Sequence, residues 1–127
     1  MSILKFLNQY KKTIGFLVLI FVLCLSPSPD IGRGIGWTHN LEIDKWVHFG
    51  LYFVLFLIWD TETTRLYPFA NQFVILAVII GIGIELLQKI MPFHRSAELA
   101  DVFADVSGLL FGYFLVSQRR FKKAAKV

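Results

Sequence analysis

Charge is what this sequence has least of. Of its 127 residues, 17% are charged and 56% hydrophobic, against about 25% and roughly 45 to 50% in an ordinary soluble domain. A water-soluble globular chain is therefore excluded, and at this length there is room for at most one compact domain. Cysteine is nearly missing: Cys24 stands alone in an apolar run, so there is no disulfide framework and no zinc-type spacing. Histidine is scarce too, with no His-Glu-x-x-His run and no second histidine inside an apolar segment. Neither a metal nor another cofactor is expected. The four prolines, Pro27, Pro29, Pro68 and Pro92, all lie between apolar stretches, where a residue without an N–H ends helices.

What charge there is has an uneven distribution. The net charge is +4, but Lys5, Lys11, Lys12, Arg119, Arg120, Lys122, Lys123 and Lys126 contribute +8 at the two ends with no acid among them. Between Thr13 and Gln118, five bases face nine acids, a net of −4. Nucleic acid as a partner would need bases and aromatics sharing one face; here the aromatics sit in the apolar runs and the bases in the tails. No nucleic-acid partner is expected, and the tails read as topology signals and contacts for anionic membrane lipids.

Four apolar segments follow. The first, 13–25, has the short run of a signal peptide, but Leu25-Ser26-Pro27 lacks the small residues of a cleavage site, so a retained helix is expected. The second, 46–59, has tryptophan at both ends, where an aromatic belt would place it. The third covers 69–88 and the fourth 99–116. Such a chain satisfies its backbone in lipid only as helices. The expected fold is thus an all-α membrane protein, a four-transmembrane-helix bundle with short connections and basic tails at 1–12 and 117–127. Four crossings return both ends to one side, and their Lys/Arg excess makes both termini cytoplasmic.

In that topology the ionisable residues gather toward the outer face. Asp44, Lys45 and His48 open the second helix, Glu85 and Gln88 close the third, Arg95 follows, and Asp101 and Asp105 open the fourth. Asp44 with His48 and Asp101 with Asp105 are i, i+4 pairs; Glu85 with Gln88 is i, i+3, so each pair shares a helix face. At 1.5 Å per residue, His48, Glu85 and Asp105 lie roughly 5 to 10 Å below the outer helix ends. Small residues mark the faces that look inward. Ala104, Gly108 and Gly112 form a stripe on the fourth helix and Gly81 belongs to one on the third, so these two helices are expected to pack there. The acids are then carried into the bundle, where carboxylates default to a functional reading. Packing alone is the alternative, and for Gln88 the simpler one. Arg95 could grip an anionic group with its fork or serve as an interfacial anchor.

These residues resemble a known family. Asp44-Lys45-Trp46-Val47-His48-Phe49 resembles the Asp-Lys-x-x-His-Phe opening of the second helix in the VanZ-like family of small bacterial membrane proteins. Glu85-Leu86-Leu87-Gln88, then Arg95, then Asp101 to Gly108 resemble its Glu-x-x-Gln, Arg and Asp-x-x-x-Asn-x-x-Gly elements in order, and the likeness spans Ile43 to Tyr113. One departure adds a negative charge: Asp105 stands where the family usually has asparagine. The resemblance implies a multi-pass protein of the bacterial cytoplasmic membrane, and its name-giving member is associated with low-level resistance to the glycopeptide teicoplanin.

Three functions remain open from the sequence. An outward-facing site could bind a glycopeptide or a lipid-linked cell-wall intermediate, with Arg95 on an anionic group. The His/carboxylate cluster could instead serve hydrolysis or group transfer, although Ser96 and Ser107 lack any nucleophile context. Transport, which four helices would achieve only as a homo-oligomer, or a structural role in assembly completes the set.

Overall fold

The computed structural model describes residues 2–26, 43–63, 69–91 and 99–125. Five helices form and no strand is present among the described residues: α1 Ile3–Gln9, α2 Lys11–Leu25, α3 Ile43–Glu62, α4 Ala70–Ile90 and α5 Leu99–Ala124. Four of them correspond to the four apolar segments, with longer bounds. α5 runs on through the basic end because the residues after Val116 include Gln, Arg, Lys and Ala, all good helix formers, and no Gly or Pro. The stretch expected as an N-terminal tail holds α1, capped by the Ser2 hydroxyl and set at 75° to α2. No residue of α1 is buried.

The cross-helix bonds fix the directions. His48 reaches Asp105 near the starts of α3 and α5, and Asp60 reaches Arg120 near their ends, so these two helices run parallel at nearly constant register. Glu62 at the end of α3 meets Thr13 at the start of α2, and Gln88 near the end of α4 meets Cys24 near the end of α2. Hence α2 and α4 run opposite to α3 and α5, and successive helices alternate in direction, as short connections favour.

The tightest seam joins α3 to α5. A Cβ on Gly108 would overlap the backbone carbonyl oxygen of Phe49, and one on Gly112 would lie 3.1 Å from Phe56 Cβ. The glycine stripe of α5 therefore faces α3, not α4 as the sequence suggested, since a stripe announces a close approach without naming the partner. α4 presents its own glycine inward: a Cβ on Gly81 would meet Asp105 Oδ2 at 2.9 Å and Tyr52 Oη at 3.0 Å. Ala104 is only half-buried. Below this level Ile20, Leu55, Phe56, Ala77 and Leu109 fill the interior, and Trp59 stacks on Phe73 with centroids 4.4 Å apart.

The outside of the bundle is apolar. Val18, Val22, Ile75, Ile79, Leu110 and Phe114 are exposed, a continuous surface that suits lipid better than water. α4 and the 99–122 part of α5 are long and apolar enough to cross a membrane, and the bent α1–α2 pair makes a third span if its two arms count as one. α3 falls short because Asp44, Lys45, Asp60 and Glu62 leave only Trp46 to Trp59 uncharged, about 21 Å of helix against a roughly 30 Å hydrocarbon core. Among the described residues, two or three helices thus meet the requirement by length and composition.

Candidate functional site

Helical repeat brings the polar residues inward. Along α3 the buried positions are His48, Tyr52, Leu55, Phe56 and Trp59; along α4 they include Ala77, Gly81, Ile84, Glu85 and Gln88; on α5 they include Asp101, Asp105, Gly108, Leu109 and Gly112. These steps of three and four keep each set on one helix face. The last residues of the α4 set and the first of the other two come together at one end of the bundle. There His48, Glu85, Gln88, Asp101 and Asp105 are each between 2% and 5% exposed.

His48 Nδ1 lies 3.0 Å from Asp105 Oδ1. With Asp105 ionised, its carboxylate can only accept, and Nδ1 would then carry the proton. The i, i+4 spacing paired His48 with Asp44, whose side chain lies outside the described residues; the bond that is described comes from Asp105 on α5. One nitrogen of His48 and one oxygen each of Glu85 and Asp101 fall within 4.8 Å of one another. Three helices therefore supply one imidazole and two carboxylates to a single point, a donor set able to hold a cation.

Other expected members are placed differently. Gln88 donates from Nε2 to the Cys24 carbonyl at 2.6 Å, satisfying one of the carbonyls that the last turn of α2 leaves without an intrahelical partner. Gln88 thus ties α4 to α2 at the edge of the cluster. Lys45 is half-buried at the start of α3, and Arg95 lies outside the described residues.

Tyr52 was not singled out from the sequence, yet it follows His48 by one helical turn. Its side chain is 1% exposed, and its hydroxyl has no hydrogen-bond partner among the described residues. Tyr52 Oη and Asp105 Oδ2 converge on Gly81, where a side chain would fill the space between them. The same i, i+4 spacing that linked Asp44 to His48 also linked His48 to Tyr52 and was the available signal.

The opposite end has a different chemistry. Glu62 accepts from Lys12 N at 2.9 Å and from Thr13 N and Thr13 Oγ1 at 2.8 Å each. It caps α2 from another helix, because Tyr10 at the cap position supplies no side-chain bond. Partial burial raises the Glu62 pKa, but the bonds from Thr13 and Lys12 and the Lys12 charge outweigh it and hold the carboxyl below its ordinary range. Asp60 pairs with Arg120. Nothing in the sequence joins residues 49 to 60 positions apart, so both contacts became visible only in the fold.

Comparison with known proteins places the chain. No curated protein and no solved structure matches it. A family model described as VanZ/LLP1 matches residues 3–121. With nearly the whole sequence covered, including the Asp-Lys-x-x-His-Phe and Glu-x-x-Gln elements that lead into the buried cluster, the chain belongs to the VanZ/LLP1 family.

Proposed function

We propose that this protein crosses the bacterial cytoplasmic membrane four times, with both termini in the cytoplasm, and uses the cluster around His48 as an outward-facing site for a cell-envelope ligand. The ligand class is a glycopeptide antibiotic or a lipid-linked cell-wall intermediate, whose anionic group is assigned to Arg95 in the connection between α4 and α5. One observation carries the reading: His48, Glu85, Asp101 and Asp105 are buried together at the bundle end away from the basic starts of α1 and α2 and the basic end of α5. Basic segments stay cytoplasmic, which turns the cluster outward. α3 crosses in this reading as a short span sheltered by α5 and α2.

Acid–base catalysis is a second reading, favoured by the His48–Asp105 bond, which is how an imidazole is oriented as a general base. Transport is less well supported, because Leu55, Phe56, Ala77 and Leu109 close the described interior beneath Tyr52.

The test is a panel of Glu85→Gln, Asp101→Asn and His48→Ala, each scored for abundance in the membrane and for teicoplanin susceptibility and cell-wall stress. Loss of the envelope phenotype at unchanged abundance is expected. Phenotype falling only in step with abundance would show that the cluster serves packing alone. A C-terminal reporter fusion active only in the periplasm should be silent; activity there would refute the orientation.

A further inference from the structure

We propose that His48, Glu85 and Asp101 form a binding site for one divalent transition-metal ion of the Zn²⁺ or Mn²⁺ class. This deepens the reading above and rests on it for access of the site to the outer face.

Geometry comes first. Bonds of about 2.0 to 2.2 Å at tetrahedral angles place ligand atoms roughly 3.4 Å apart. The three candidate atoms lie within 4.8 Å of one another, so rotamer adjustments on the order of an ångström close the shell. They come from α3, α4 and α5, which the Gly108, Gly112 and Gly81 contacts hold in close approach.

The surroundings match what a coordinated histidine requires. Since Nδ1 is bonded to Asp105, the proposal puts the ion on Nε2, the carboxylate–histidine–metal arrangement that fixes tautomer and ring orientation. Here the family departure gains a role, since the carboxylate of Asp105 raises the basicity of the imidazole more than an asparagine amide would. Tyr52 provides an independent sign of a ligand. Its buried hydroxyl lacks a described partner and converges with Asp105 on Gly81. In the proposed site it would hydrogen-bond a water or an anionic oxygen held by the metal.

Donor type narrows the ion. Imidazole favours Zn²⁺ and its neighbours, whereas Ca²⁺ and Mg²⁺ prefer oxygen alone; two carboxylates with one nitrogen also suit Mn²⁺. Three protein ligands leave a coordination position open to water or to an anionic oxygen of the envelope ligand. In the sequence, His48 with two or three carboxylates is a plausible site, weighed down because no His-Glu-x-x-His run or second helical histidine supports it; the fold brings His48, Glu85 and Asp101 together.

The test uses the full chain in mild detergent, stripped with chelator and reloaded with Zn²⁺ or Mn²⁺ alone. After desalting, elemental analysis should find one ion per chain. Glu85→Gln and Asp101→Asn should each weaken binding by about tenfold or more, and Asp105→Asn, acting through His48, by about 10- to 100-fold. Co²⁺ loaded into the unaltered chain should give d–d absorption of a nitrogen–oxygen site that Zn²⁺ abolishes, a readout that does not depend on any variant folding. Wild-type protein retaining less than roughly one ion for every ten chains, or a Glu85→Gln/Asp101→Asn double variant binding as tightly as wild type, would overturn the proposal. Metal binding without an envelope phenotype would instead refute the ligand reading alone.

Discussion

The two ends of the bundle hold their carboxylates in opposite ways. At the basic end, Glu62 accepts three hydrogen bonds from the start of α2 and Asp60 faces Arg120, so each acid fastens one helix to another in a partly exposed setting. At the other end Glu85 and Asp101 are buried, converge with His48 on one point, and stand beside a second dyad of His48 and Asp105. A carboxylate used for assembly sits where a backbone N–H or a guanidinium meets it. Those at the other end are gathered with an imidazole inside the bundle, where carboxylates are costly. In the proposed function the first arrangement fastens the helices and the second handles a ligand.

The comparison can be broken by exchanging losses between the ends. The largest effect is expected from Asp101→Asn, which should reduce an envelope phenotype to the level of a strain lacking the protein while Glu62→Gln leaves it intact. Susceptibility assays normalised to membrane abundance decide this, and equal phenotypes from the two variants would erase the distinction. Gly108→Ala comes next. Its methyl would overlap the Phe49 carbonyl and force α3 from α5, at a cost of about 1 to 3 kcal/mol. Thermal melting in detergent should show the drop, and an unchanged transition would mean that the seam is looser than described.

Glu62→Gln sharpens the contrast at the basic end, with an expected loss of about 1 kcal/mol, the usual value for a helix cap. Because the Glu62 pKa is lower in the folded chain, the unfolded chain binds more protons at this group, so its contribution is complete above the ordinary carboxyl pKa. It disappears as pH falls through the depressed folded value. Acid melting curves of wild type and variant should converge in that window; a gap that persists below it would remove Glu62 as the cause. The smallest effect belongs to Arg120→Ala. A partly exposed pair contributes about 0.2 to 1 kcal/mol and is screened by salt, so the difference in melting should shrink as ionic strength rises.

Helix identity and the polar residues could be read from the chain because both depend on local repeat: apolar runs bounded by proline, and steps of three and four that put Glu85 with Gln88 or Asp101 with Asp105 on one face. The same repeat contained Tyr52. It could not reveal that His48 bonds Asp105 before Asp44 comes into question, that Gln88 secures α2, or that Glu62 caps a helix from 49 positions away.

By itself, then, the sequence determined an all-helical membrane-type composition, the family motifs and the sign of charge at each end, since these follow from residue type and spacing. Only the tertiary structure decided which helices touch. α3 and α5 approach closely because glycines at 108 and 112 admit α3, and that contact sets His48 against Asp105. Three single ligands from three helices then meet there; helical repeat placed them at one end and on inward faces, and helix packing decided which of them touch.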